Sequence, residues 1–152
     1  MRSKIPVMPE FDDPRIHAYG VMLEALSRLN RMFDKSLRDQ AGLGQGWFEA
    51  LLRIERSGGY MTMGELAGQV ALTSGGVTRL VDRLNEEGLA GRRDCESDRR
   101  VQYVAITDAG RAKLAEAMSV HLVELEREFI GRVSPEELET LVTVMDRLRT
   151  PA

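Results

Sequence analysis

Residues 72–107 read LTSGGVTRLVDRLNEEGLAGRRDCESDRRVQYVAIT, and the order of signals in this stretch decides the fold. Val77, Leu80, Val81 and Leu84 recur at helical spacing, which places Ser74, Thr78, Arg79, Asp82 and Arg83 on the opposite face of one helix. Gly88 ends that helix, being the residue best able to take a left-handed conformation. Two β-prone runs follow, Leu89 to Arg93 and Val101 to Ile106, separated by a polar loop from Asp94 to Arg100. One face of the helix packs, and the other is left to touch something else.

Upstream, Thr62-x-x-Glu65 is a capping box, in which each side chain satisfies a backbone donor at a helix start. It opens a short helix through Val70, and the turn 71–73 leads into the helix already described. Two such helices joined by a tight turn form a helix-turn-helix, and the strand, charged loop and strand that follow make it a winged helix. The outward helix face could then enter a DNA major groove, with the loop reaching the flanking minor groove or backbone.

The chain also resembles the MarR (multiple antibiotic resistance regulator) family of transcription factors. The family pattern of a helix ending in Leu-x-x-x-Gly-Leu, then Arg, a loop with Asp-x-Arg, and a strand closing in Thr-x-x-Gly matches Leu84 to Leu89, Arg92, Asp98 to Arg100, and Thr107 to Gly110. In weaker form the resemblance runs from about residue 16 to 148. It implies a homodimer that binds double-stranded DNA, most members being repressors, and small phenolic or anionic aromatic effectors bound between the dimer helices and the reading domain.

The flanks fit that plan. From Pro14 to about Asp39 apolar residues at 16, 19, 22, 23, 26, 29, 33 and 37 trace one stripe, interrupted by Gly42, Gly44 and Gly46. A helix from Trp47 to Arg56 carries Trp47, Phe48, Leu51, Leu52 and Ile54 and stops at Ser57-Gly58-Gly59. Thr107-Asp108 caps a helix running to about Ile130, roughly 35 Å long, with Ala109, Leu114, Met118, Leu122, Leu125 and Phe129 along one side. Ser134-Pro135-Glu136-Glu137 starts a last helix bearing Leu138, Leu141, Val142, Met145 and Leu148. The predicted fold is mainly α with a small β-wing. A single domain spans 1–152, with dimerisation helices at 14–40 and 108–150 around a winged helix-turn-helix at 45–107. The long terminal helices carry more apolar stripe than so small a head can cover, which points to a dimer. Residues 1–13 read as a tail with no assigned function.

The 152 residues carry a net charge of −3 and a pI near 5.5, which argues against a protein that coats nucleic acid by bulk attraction. Between residues 73 and 107 six arginines and six acids cancel, leaving 15 basic and 18 acidic residues elsewhere. All six cations there are arginine, whose planar fork suits phosphate and guanine edges. One cysteine, no apolar run behind the basic start MRSK, and nothing near the ~18 apolar residues of a membrane span predict a cytoplasmic protein with no membrane partner.

The predicted DNA-binding residues are Thr73, Ser74, Gly75, Thr78, Arg79 and Arg83 of the helix and Arg92, Asp98, Arg99 and Arg100 of the wing. Thr73 and Ser74 offer hydroxyls and backbone N–H groups to phosphate at an electropositive helix start. By resemblance Asp98 orients the wing and Arg100 enters the minor groove, while Arg99 meets phosphate. A plain solvated surface, with Arg79, Asp82, Arg83 and Glu86 pairing along the helix, is the bland alternative. Gly75-Gly76 either lets a backbone approach DNA closely or is merely tolerated in a first turn; the sequence leaves both open.

Tyr19, Met22, Leu26, Trp47, Phe48 and Leu51 are candidates to line an effector crevice, against the simpler reading that they are core. Trp47 stands where the family more often has a polar residue, and Gly44 replaces a common Thr cap. Cys95, between Asp94 and Glu96, reads as an incidental exposed thiol. His121 shares a helical face with Glu124 and Glu128 and reads as plain surface, so no metal and no cofactor is expected. No phosphate loop, nucleophile elbow or catalytic histidine appears, so the chain is not expected to be an enzyme. Two rivals are a winged-helix module that binds a protein partner instead of DNA, and a small enzyme or carrier built on the helical crevice.

Overall fold

The computed structural model of the protein describes residues 13–70, 74–94 and 101–149. Helix α1 (Pro14–Ala41) starts where the Asp13 carboxylate accepts from the Arg15 amide at 2.8 Å and where proline needs no amide partner. Among the described residues only its C-terminal part is covered: Phe33, Leu37 and Ala41 are buried, whereas Ile16, Tyr19, Leu23 and Leu26 of the same stripe are exposed.

Helix α2 (Gln45–Arg56) begins two residues before Trp47, so Gly46 is helical and does not interrupt. Its cap, Gly44, has no side chain to offer, and the missing acceptor comes from α1, where Asp34 Oδ1 accepts from the Gln45 amide at 2.9 Å. A Cβ on residue 44 would lie 2.8 Å from the Arg38 guanidinium that pairs with Asp34. The cap has thus moved from the helix's own sequence to a neighbouring helix.

Strand β1 (Tyr60–Thr62) was not expected from the sequence, because three residues are too few to show alternation. It leads into α3 (Met63–Gln69), whose capping box is present as predicted, with Glu65 amide to Thr62 Oγ1 at 3.1 Å and Thr62 amide to Glu65 Oε2 at 2.8 Å. After α4 (Ser74–Glu86) come β2 (Ala90–Asp94) and β3 (Gln102–Ile106). The sheet is antiparallel in the order β1-β3-β2, with Met61 opposite Val104 and Arg92 opposite Val104 on the other side.

The last third is α5 (Asp108–Glu128), a 3-10 turn (Ile130–Arg132) and α6 (Pro135–Arg149). Ser134 and Glu137 form a reciprocal cap at the start of α6, at 2.8 and 3.2 Å. The core joins α1, α2, α3, α4 and the sheet through Leu37, Leu51, Ile54, Leu66, Val77, Val81, Leu84 and Val104, each at most 1 % exposed. Burying such a side chain contributes about 1.5–3 kcal/mol.

The inward face of α5 differs from the stripe read in the sequence. Gly110, Leu114, Ala117, Glu124 and Glu128 are buried, at spacings of three, four and seven, while Leu122 points out. The reading of His121, Glu124 and Glu128 as solvated surface is therefore corrected. Glu128 accepts from Arg28 of α1 at 3.0 Å, Arg127 at 3.0 Å and Arg132 at 2.7 Å, and Glu124 accepts from Arg127 at 2.6 Å. The Arg28 guanidinium, foremost among these donors, holds the Glu128 carboxyl below its ordinary range. These carboxylates turn inward because arginines meet them there, a pairing that a hydrophobic periodicity does not register. No helix among the described residues is long and apolar enough to cross a membrane.

Candidate nucleic-acid interface

Helix α4 is held from behind and open in front. Val77, Leu80, Val81 and Leu84 are buried in the core, and Gly75, Thr78, Arg79, Asp82, Arg83 and Glu86 are exposed on the opposite side. Among the described residues, Arg79, Arg83 and Glu86 make no ion pair, so the network along the helix that would have explained these charges is not formed. A Cβ on Gly75 would meet nothing within 4 Å, so internal packing does not require glycine there.

The end of α4 is where two separated parts of the wing motif meet. Gly88 takes φ 70°, and the Leu89 amide donates back to the Leu84 carbonyl at 2.8 Å, which closes the helix. Thr107 then binds this turn from the far strand: its hydroxyl donates to the Gly88 carbonyl at 2.6 Å, and its amide donates to the Leu89 carbonyl at 3.1 Å. The same hydroxyl accepts from the Gly110 amide at 3.0 Å and so caps α5. Leu-x-x-x-Gly-Leu and Thr-x-x-Gly are one knot at the wing root.

Arg92 is half-buried and turns toward α4. Its guanidinium donates to Asp82 of α4 at 2.6 Å and to Gln102 of β3 at 3.4 Å, and its Nε is buried. It braces the wing against the reading helix, and the partner that Asp82 takes is ten residues away instead of one helical turn. Both side chains are partly solvated, so a double-mutant cycle of Asp82→Ala and Arg92→Ala in urea unfolding is expected to give a coupling of about 0.5–1 kcal/mol. A coupling of zero would mean that the brace does nothing. On β2 the neighbouring Arg93 is exposed. Thr73, Cys95, Asp98, Arg99 and Arg100 lie outside the described residues, and Ser74 is placed by its backbone at the first position of α4.

The sequence profile of the MarR family matches residues 41–101, the segment from the end of α1 through α4 into the wing. YkoM, an uncharacterized HTH-type transcriptional regulator of Bacillus subtilis strain 168, is 28 % identical over 133 residues, covering 87 % of this chain and 84 % of its own. Residues 41–101 therefore carry a MarR family match, and relatives along most of the chain are transcriptional regulators. Among solved structures, the MarR family regulator AbsC from Streptomyces coelicolor superposes with a TM-score of 0.85 at 25 % identity, over 93 % of this chain and 95 % of that one. Sco3205, a MarR family regulator from the same organism solved in complex with DNA, has a TM-score of 0.83 at 24 % identity, over 96 % and 91 % of the two chains.

The six residues considered for an effector crevice are divided. Tyr19 and Leu26 are exposed and Met22 half-buried on the outer part of α1, Phe48 and Leu51 are buried in the core, and Trp47 packs against that core. Leu51 is 0 % exposed and has no surface to give a ligand. A cavity of about 220 Å3 does open between α2 and α5, lined by Phe48, Glu49, Leu52, Arg53, Arg56 and His121 together with Gln45. Of the six only Phe48 reaches it. Arg53 and His121 were missed in the sequence because a mid-helix arginine and a lone histidine have no pattern of their own. Among the described residues no group of three or more His, Cys, Asp or Glu is placed to hold a metal ion.

Proposed function

We propose that this chain is a ligand-responsive repressor of the MarR type that binds a pseudopalindromic operator as a homodimer and performs no catalysis. The observation that carries the reading is α4, buried on one side and presenting on the other Arg79 and Arg83, which make no ion pair among the described residues. In this reading 45–107 is the winged helix-turn-helix, and the segments 14–40 and 108–150 join the two copies through apolar surface that one chain leaves bare, including Ile16, Tyr19, Leu23, Leu122, Val142 and Leu148. Two copies of α4 would then enter successive major grooves about 34 Å apart. Thr73, Ser74 and Gly75 would meet phosphate at the helix start, and Thr78, Arg79 and Arg83 the base edges or backbone. Asp98, Arg99 and Arg100 would place the wing on the flanking minor groove. Such a protein works in the cytoplasm.

The cavity between α2 and α5 offers a small aromatic or phenolic effector an apolar wall at Phe48 and Leu52 and cationic groups at Arg53 and Arg56. An effector that prefers a dimer with wrongly spaced heads would draw population from the DNA-competent form.

Selection of operator DNA from a random duplex pool, followed by salt titration of the winner, tests the reading. Sequence-dependent binding by a dimer is expected, and Arg100→Ala is expected to reduce the salt slope by about one counterion per subunit. An unchanged slope would remove Arg100 from the phosphate contacts. A chain that is monomeric at micromolar concentration, or that enriches no sequence, would overturn the proposal.

A further inference from the structure

His121 stands where the arm helices meet the reading head. Its ring lies between Phe33 of α1, at a centroid distance of 5.0 Å and nearly edge-on, and Phe48 of α2, at 4.9 Å and tilted by 50°. Nδ1 is buried and has no hydrogen-bond partner among the described residues. In neutral imidazole this atom can stay a bare acceptor, but in imidazolium it becomes a donor with nothing to donate to.

The charges around it decide which form the fold prefers. From α2, Arg53 and Arg56 line the same cavity and oppose a positive charge, while Glu49 favours one. From α1 the contact is the apolar ring of Phe33, and the nearby Asp34 is engaged by Arg38 and the Gln45 amide. On α5 itself, Glu124 is one turn along and is held by Arg127. Among the described residues one carboxylate, Glu49, which accepts from Gln45 Nε2 at 3.4 Å, thus faces two guanidinium groups and two phenyl rings.

We propose that His121 is a proton-released bolt: neutral, it locks α2 to α1 and α5; protonated, it loosens the seam between arms and head. Burial pushes its pKa below the ordinary histidine value, with Glu49 only partly opposing. The folded chain therefore binds fewer protons than the unfolded one in a window that opens near the ordinary value of about 6.5 and closes below the folded one. The bolt contributes fully above the ordinary value and is eroded as pH falls through the window between the unfolded and folded values. The regulatory consequence rests on the DNA reading above: a looser seam broadens the spacing of the heads, so operator affinity falls with acidity. By linkage, DNA binding in that window releases protons.

The test is backbone amide exchange of the full-length protein at about pH 7.5 and about pH 5.5, corrected for intrinsic rates, for wild type, His121→Phe and His121→Gln. Protection in 45–56 and 114–128 is expected to drop several-fold in wild type and to hold in both variants, neither of which titrates there. The glutamine variant decides the matter if phenylalanine prevents folding. Equal loss of protection in wild type and variant would overturn the bolt. In parallel, affinity for the selected operator should fall several-fold over the same range in wild type and not in the variants; an equal fall would remove the regulatory role. Failure of every protein to bind DNA at both pH values would count against the DNA reading and with it the regulatory role, leaving the exchange experiment to decide the bolt.

Discussion

Gly110→Ala is expected to destabilise the chain by at least about 3 kcal/mol, although alanine exceeds glycine by up to about 1 kcal/mol inside a helix. A Cβ at this position would lie 2.0 Å from the Leu89 carbonyl oxygen and 2.8 Å from Cγ1 of Ile106. The carbonyl cannot move aside, because it already accepts from the Thr107 amide in the knot at the wing root. Relief would have to come from lifting the first turn of α5 off β2, which unmakes the cap and loosens the wing together. Gly68→Ala in α3 is the internal control, since a Cβ there meets nothing within 4 Å and should leave stability unchanged or raised by up to about 1 kcal/mol. Urea unfolding of the two variants distinguishes them; a Gly110→Ala midpoint at or above wild type would show that the close approach does not exist.

Arg79→Ala is expected to weaken operator binding by about 1–3 kcal/mol at each half-site, and so by about 2–6 kcal/mol for a dimer that uses both. Stability should hardly change, because Arg79 is exposed and makes no ion pair among the described residues. That separation of affinity from stability distinguishes a reading residue from a structural one. Fluorescence anisotropy against the selected operator and against a scrambled duplex would measure it. An equal loss on both duplexes would assign Arg79 to the phosphate backbone, and no loss on either would remove it from the interface.

Much of the architecture was legible in the chain because it rests on local signals. The Thr62 and Ser134 caps, the terminator at Gly88 and the apolar face of α4 each follow from residues within one or two turns of one another, and each is found where expected. What escaped depends on partners distant in sequence. β1 is a strand only because β3, some forty residues on, supplies its hydrogen bonds. Gly44 needs no cap of its own because Asp34 reaches across from α1. The pairing of Arg92 with Asp82, ten residues back on α4, has no signal in the helical spacing of either residue. The inward side of α5 was mistaken because two glutamates count as polar in any periodicity, and only the arginines around them make burial tolerable.

The place of β3 in the chain has a mechanical result. This strand is the middle of the sheet, between the strand that leads into α3 and the one that follows α4, and Thr107 alone separates its end from the first residue of α5. The long helix and the wing are therefore two ends of one lever with its fulcrum at Thr107. Any tilt of α5 transmits to the sheet without slack, so a shift too small to disturb the core can still move β3 and, through its ladder, β2.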